Sequence, residues 1–122
     1  MEEQLQEKAV LVGLNITTNV KKIDDIDINE SMAELKELVK ATGAEVLASV
    51  IQNKPARDAA YFIGKGKVEE IRDYCHMLGA TMIVFNDELS GAHMRNIEDV
   101  TGLKVIDRTA LILDIFAQRA LS

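Results

Sequence analysis

The sequence predicts an α/β fold, a mainly parallel sheet of about four strands with helices on both faces, built from successive βα units. Two observations carry this. Short apolar, β-branched runs alternate with stretches whose apolar residues recur at helical spacing. Three of the helical stretches end at a glycine, Gly43, Gly79 or Gly102, and an apolar run follows soon after each. The unequal spacing of these glycines argues against a solenoid and for successive crossover units.

The elements follow in chain order. Lys8 to Leu14 is short, apolar and β-branched, a strand buried on both faces. Asn15 to Asn29 is polar, with Asp24, Asp25 and Asp27, and reads as an exposed, mobile connection pinned by Ile23, Ile26 and Ile28. Ser31 to Glu34 fits a capping box, after which Met32, Leu35, Leu38 and Val39 mark a helix stopped by Gly43. Glu45 to Ile51 is the second strand. Gln52 to Ala60 holds Pro55, the only proline, and reads as a loop. Tyr61 to Ile63 is a short extended piece leading into Gly64-Lys65-Gly66-Lys67. Val68, Ile71, Tyr74, Cys75 and Leu78 then form a helical stripe ended by Gly79.

Thr81 to Phe85 is the third main strand, and Asn86-Asp87-Glu88 leaves its carboxyl end. Ser90 caps a helix with Leu89, Ala92, Ile97 and Val100 on its apolar side, stopped by Gly102. Leu103 to Ile106 is the fourth strand, and Asp107 caps a last helix from Arg108 to about Leu121. In that helix Leu111, Ile112, Leu113, Ile115, Phe116, Ala117 and Ala120 leave little polar face. A helix so apolar is buried on more than one side. Either it packs in an oligomer, or further polypeptide of a longer protein covers it.

At 122 residues the chain suffices for one domain with a core of its own. With 48% apolar and 28% charged residues it has an ordinary globular composition, and a net charge of −6 argues against a surface that binds nucleic acid all over. Cys75 is the only cysteine, so neither an internal disulfide nor a thiolate metal cluster can form. That suits the cytoplasm. Met1-Glu2-Glu3-Gln4 is unlike a signal peptide, and no apolar run approaches the roughly 18 residues of a membrane span.

Catalytic and metal-binding patterns are missing. His76 and His93 sit on different predicted helices without a ligand-type residue at helical spacing, and Ser90 is better explained as a cap than as a nucleophile. The cluster of Asp24, Asp25 and Asp27 lacks the glycine and terminal glutamate of a calcium loop. A P-loop is absent: Val68 follows Gly66-Lys67, and Tyr61 stands where its first glycine belongs. Asn53-Lys54-Pro55-Ala56 and Asp99-Val100-Thr101-Gly102, fragments of guanine-nucleotide motifs, read as a loop and a helix end.

One stretch does suggest a ligand. Between Gln52 and Lys67 stand the bases Lys54, Arg57, Lys65 and Lys67 against one acid, Asp58. Backbone amides at a helix start favour anions, and Gly64 and Gly66 let the chain turn there. These six residues, Lys54, Arg57, Gly64, Lys65, Gly66 and Lys67, are the candidate RNA- or phosphate-binding set. The competing explanation is a structural turn flanked by solvated lysines.

Four segments in order carry a more specific signal: Ile63-Gly64-Lys65-Gly66-Lys67-Val68-Glu69-Glu70-Ile71, Phe85-Asn86-Asp87-Glu88-Leu89-Ser90, Val105-Ile106-Asp107-Arg108-Thr109 and Ile112-Leu113-Asp114-Ile115-Phe116-Ala117-Gln118-Arg119-Ala120. Together they resemble the N-terminal domain of HflX-type ribosome-associated GTPases, from about Lys8 to the end. The resemblance implies that residues 1–122 are a single α/β N-terminal domain, with a helical hairpin and a GTPase domain beyond it. It implies binding to the large ribosomal subunit and to ribosomal RNA near the peptidyl transferase centre. GTP and magnesium would belong to the missing GTPase domain, leaving this part non-catalytic and without a cofactor. Some family members are credited with a second, less specific nucleotide-binding activity in this region. One departure stands out. Where the family usually reads Leu-Ser-Pro-Ala-Gln, this chain has Leu89-Ser90-Gly91-Ala92-His93. Three readings stay open: a ribosome-docking domain, a small-molecule ATP or GTP module using the turn from Gly64 to Lys67, and an interaction module dimerising through the apolar last helix.

Overall fold

The computed structural model describes residues 6–18 and 27–120. In chain order they form β1 (Lys8–Ile16), α1 (Ile28–Ala41), β2 (Glu45–Lys54), α2 (Lys65–Leu78), β3 (Met82–Phe85), α3 (Gly91–Thr101), β4 (Lys104–Asp107) and α4 (Arg108–Ala120). The strands make one four-stranded sheet in the order β2-β1-β3-β4, and every pairing is parallel. The predicted α/β architecture is therefore correct. α1 carries the chain outward from β1 to β2, whereas α2 and α3 carry it back across β1 to β3 and on to β4. Crossovers of one hand that reverse direction must change face. α2 and α3 accordingly cover one face, and α1 and α4 the other.

Strand alternation divides the core. Val10, Val12 and Leu14 of β1 point toward α2 and α3, where they meet Phe62, Val68, Ile71, Ile83, Phe85 and Ile97. Ala9 and Leu11 point the other way, onto Met32, Leu35, Val39, Val84 and Leu111. The central strands β1 and β3 are buried almost throughout, and the edge strand β2 has no fully buried residue. Gly79 and Gly102 close α2 and α3 in the left-handed region, at φ 76° and 71°, where a side chain would be strained.

Several local expectations need correction. Asp27, not Ser31, caps α1: its side chain accepts from the Asn29 amide at 2.9 Å. The helix thus starts at Ile28, and Ser31 and Glu34 lie inside it, free for partners elsewhere. β1 and β2 each run further than predicted. The Asn15 side chain donates to Asn53 Oδ1 at 2.9 Å, and the Thr17 amide donates to the Lys54 carbonyl at 2.9 Å, prolonging the ladder. Tyr61 to Ile63 is no extended piece but part of a tight loop with an antiparallel bridge between Asp58 and Phe62. The expected connection at Asp24, Asp25, Ile23 and Ile26 lies outside the described residues. α4 buries Leu111 but leaves Leu113 and Phe116 at 63% and 64% exposure, so one side packs on the sheet and an apolar face remains open. Among the described residues, no helix is long and apolar enough to cross a membrane.

Asp107 caps α4 as the sequence predicts, and it does more. Oδ1 accepts from the Ala110 amide at 2.9 Å, while Oδ2 accepts from the Leu89 amide at 3.0 Å. Replacing Asp107 by Ala loses the cap and leaves a buried amide without its partner. We expect a loss of about 2–4 kcal/mol in urea unfolding. Burial pushes the Cys75 thiol up to about 11, so it stays protonated near neutrality. It should react with a thiol reagent at pH 8 in denaturant and stay silent in the native protein.

Candidate functional site

In a parallel sheet the carboxyl ends of the strands and the starts of the helices that follow share one edge. Ligands of such sheets sit where the winding direction reverses. Here that point lies between β1 and β3: α1 leaves β1 toward β2, and α3 leaves β3 toward β4. Asn86 and Asp87 leave β3 there, and Asp107 and Arg108 stand at the end of β4.

Arg108 ties these ends together. Its Nη1 donates to Asn86 Oδ1 at 2.9 Å, to Ser31 Oγ at 3.2 Å and to the Ser31 carbonyl at 3.3 Å. Its Nη2 donates to Glu34 Oε2 at 3.0 Å. The Asn86 amide group completes the ring by donating to Ser31 Oγ at 2.8 Å. The network joins the first turns of α1 to the ends of β3 and β4. Its guanidinium is spent on protein acceptors, which makes Arg108 a structural clamp. Sequence reads Arg108 as a structural charge beside the Asp107 cap, but not its partners, because Ser31 and Glu34 pair locally in a capping pattern.

Asp87 behaves differently. Its Oδ2 is enclosed and, among the described residues, has no hydrogen-bond partner. Burial pushes its carboxyl above the usual range; a backbone hydrogen bond to Leu14 and the charges of Arg57 and Arg108 pull it partly back. Arg57 belongs to the predicted basic set. Its guanidinium lies 5.6 Å from the centre of the Phe62 ring, a cation–π distance. The Phe62 ring meets Phe85 and His93 edge-on at 6.2 and 5.6 Å.

Phe62 is held at φ 67°, which costs a non-glycine residue about 1–2 kcal/mol. Asp58, the only acid in the basic stretch, restrains the loop. Its backbone exchanges two 3.0 Å hydrogen bonds with Phe62, and its Oδ2 accepts from the Ala60 and Tyr61 amides. Asn96 of α3 anchors the same loop by donating to the Ala60 carbonyl at 2.8 Å. The strained loop thereby carries Arg57 to the switch point.

The rest of the predicted set spreads along the edge. Lys54 ends β2, half-buried. Gly64 caps α2 at φ −64° with no side chain, and its amide donates to Gln52 Oε1 at 2.8 Å. A Cβ there would crowd the Gln52 amide nitrogen at 3.3 Å. Neither Gly64 nor Gly66 has positive φ, so the turn does not demand glycine; Gly66 faces open space and leaves the first helical turn bare. Lys65 is exposed. Lys67 pairs with Glu70 at 2.9 Å and lines a groove between α2 and β2. The structure thus brings Arg57 to Asp87, sets Lys54 and Lys65 on the same edge, and turns Lys67 aside.

His93 fills the role of a capping-box partner. Its amide donates to Ser90 Oγ at 3.1 Å, and its Nδ1 accepts from the Ser90 amide at 3.3 Å. The departure from the family pattern therefore keeps an acceptor at the third position of α3. A separate cleft of about 540 Å³ opens at the opposite end of the sheet, beside Met82, Lys104 and Leu111.

The raised Asp87 pKa has a definite sign in stability. The folded state holds this proton to higher pH than the unfolded chain, so ionisation costs stability as pH rises above the ordinary carboxylate value. Asp87→Asn should raise the melting temperature at pH 7, and the gain should fade as pH falls toward that value.

Residues 29–117 match a family model described as GTP-binding GTPase N-terminal. GTPase HflX of Caldanaerobacter subterraneus subsp. tengcongensis is 42% identical over 117 residues, covering 96% of this chain and 26% of that protein. GTPase HflX of Lacrimispora saccharolytica is 43% identical over 120 residues, covering 98% and 27%. GTPase HflX of Escherichia coli is 41% identical over 114 residues, covering 93% and 25%. The chain spans about a quarter of the length of these relatives. The crystal structure of a GTP-binding protein from the hyperthermophilic archaeon Sulfolobus solfataricus in complex with GDP superimposes with a TM-score of 0.63 at 20% identity, over 92% of this chain and 30% of that one, and shares its fold. This chain belongs to the GTP-binding GTPase N-terminal family, the N-terminal domain of HflX-type GTPases.

Proposed function

We propose that this chain is the ribosome-docking domain of an HflX-type GTPase, acting in the cytoplasm on ribosomal RNA of the large subunit. Residues 1–122 form the docking domain. A helical hairpin and a GTPase domain with its P-loop, GTP and magnesium lie in the rest of the protein. Hydrolysis belongs there, and this domain contributes position. The exposed Leu113 and Phe116 of α4 suit contact with the adjoining helical segment.

One observation carries the docking reading. In a chain of net charge −6, Lys54, Arg57 and Lys65 share the carboxyl edge of the sheet, beside the start of α2, which no side chain caps. Bases so placed neutralise a polyanion and release its counterions, while the acidic remainder repels contact elsewhere. Asp87 favours a second reading, a small-molecule ATP or GTP site. Its orphaned oxygen lies at the switch point and can accept from a ligand hydroxyl or amine.

Binding to isolated large subunits as a function of salt tests the docking reading. Arg57→Ala and Lys65→Ala should each weaken binding several-fold and flatten the log–log salt dependence by about 0.7–0.9 for each phosphate no longer neutralised. Lys67→Ala should matter less, because Glu70 already compensates its charge. Unchanged affinity and slope in the Arg57/Lys65 double variant would end the docking proposal. Titration of ATP and GTP against Asp87→Asn and the parent chain checks the second reading: millimolar nucleotide should bind neither, and binding by the parent alone would favour the nucleotide site.

A further inference from the structure

β2 is an edge strand that lacks the usual protection. Edge strands are normally short, or carry charges or proline that deter pairing. β4, the other edge, is four residues long with Lys104 and Asp107 at its ends. β2 is ten residues long, and from Val46 to Asn53 it holds neither a charge nor a proline. Among the described residues, no strand pairs with its outer side. Beside it a groove of about 440 Å³ runs against α2, with Val50, Ile71 and Tyr74 as its apolar lining. Tyr74 and Met77 of α2 are 37% and 74% exposed.

The register of β2 makes this edge complementary to itself. Lys8 stands opposite Glu45, Val12 opposite Val50, and Ile16 opposite Lys54. Lys8, Val12 and Ile16 point to one face of the sheet, so Glu45, Val50 and Lys54 do too. An odd sequence separation between Glu45 and Lys54 would ordinarily put them on opposite faces. The register shift, which pairs Ala9 with Val46 but Val10 with Ala48, leaves Leu47 without an opposite residue and restores the match. A two-fold axis perpendicular to a sheet preserves faces, so it can bring opposite one another only residues of the same face. An axis beside Val50 meets that condition. It sets Glu45 of each copy against Lys54 of the other, Ala48 against Gln52, Ser49 against Ile51, and Val50 against its own counterpart. Leu47 becomes the extra residue of an antiparallel bulge.

We infer that this chain forms a two-fold dimer by antiparallel pairing of β2 with β2 of a second copy, joining the sheets into one of eight strands. Both edges gain a ladder, both ends gain an opposite-charge pair, and the Val50 groove gains an apolar neighbour. In the dimer Lys54 faces Glu45, and Arg57 and Lys65 remain for phosphate.

Sedimentation equilibrium of the whole 122-residue chain tests the inference, with circular dichroism to confirm folding of each variant. The parent should reach twice its 13.5 kDa mass at high micromolar concentration. Val50→Lys places two ammonium groups face to face and should weaken association at least about tenfold. Glu45→Lys and Lys54→Glu should each weaken it, and the double exchange should restore it. Val50→Cys should cross-link under mild oxidation, and Ser49→Cys, which faces Ile51, should not. A monomer mass throughout, or a dimer dissolved by Phe116→Asp but untouched by Val50→Lys, overturns the inference; the second result would move the interface to α4.

Discussion

The structure depends on what happens at the end of β4, where two adjacent residues of opposite charge face different problems. Asp107 is 4% exposed, and a carboxylate so buried must be compensated by donors. It finds them in two amides, one opening α4 and one in the connection from β3 to α3. Arg108 then reaches past it to Asn86, Ser31 and Glu34. Between them the two side chains fix α1, α4 and the ends of β3 and β4 at one place. A parallel sheet leaves its strand ends to loops, and loops move unless polar groups hold them. This pair turns the carboxyl edge from a set of loops into a platform.

The platform gathers three bases, Lys54, Arg57 and Lys65, on one edge of an acidic chain. Asp58 spends its carboxylate on the amides of its own turn, and Glu34 pairs with Arg108. Asp87 is drawn inward, where burial weakens its hold on its charge. These three acids near the switch point are thus committed internally, while Glu30 and Glu88 stay exposed on the same edge as Lys54, Arg57 and Lys65. The strained Phe62 belongs to the same arrangement. Its backbone conformation is unfavourable, yet its ring is buried against Phe85 and His93, and that packing holds Arg57 nearby.

What could be read from the sequence was whatever is determined locally. The helix stripes, the glycine stops at Gly79 and Gly102, and the caps at Ser90 and Asp107 depend on neighbours a few residues away. So does the alternation of apolar strands with helices, which sufficed for the fold class. Sequence and structure part where a distant partner decides. Ser31 and Glu34 satisfy a local capping pattern, but Arg108, more than seventy residues on, takes both. Sequence alone ends β1 and β2 too early, because Asn15 and Asn53 look like loop residues until they bond to each other. Asp87 gave no local sign of its isolation, since burial of one oxygen is set by packing from several elements. Leu47 could not be recognised as a bulge, because a register exists only between strands.

Lys54 shows how the two edges of this sheet constrain one another. It closes β2, so it belongs both to the open side of the strand and to the carboxyl edge. Its place is set by the prolonged ladder with β1, through the Asn15–Asn53 pair and the bond from Thr17 to its carbonyl. Were β2 to end at Ile51, as its composition suggests, Lys54 would sit in a loop and could serve phosphate without constraint. Held in the strand, it also acquires a register, and with it the same-face relation to Glu45. On the docking and pairing proposals together, a second strand on that edge draws on a base that RNA would also use. Arg57 and Lys65 lie beyond the strand and keep their freedom. The extra residues of β2 thus separate a base that assembly can claim from those left to a ligand.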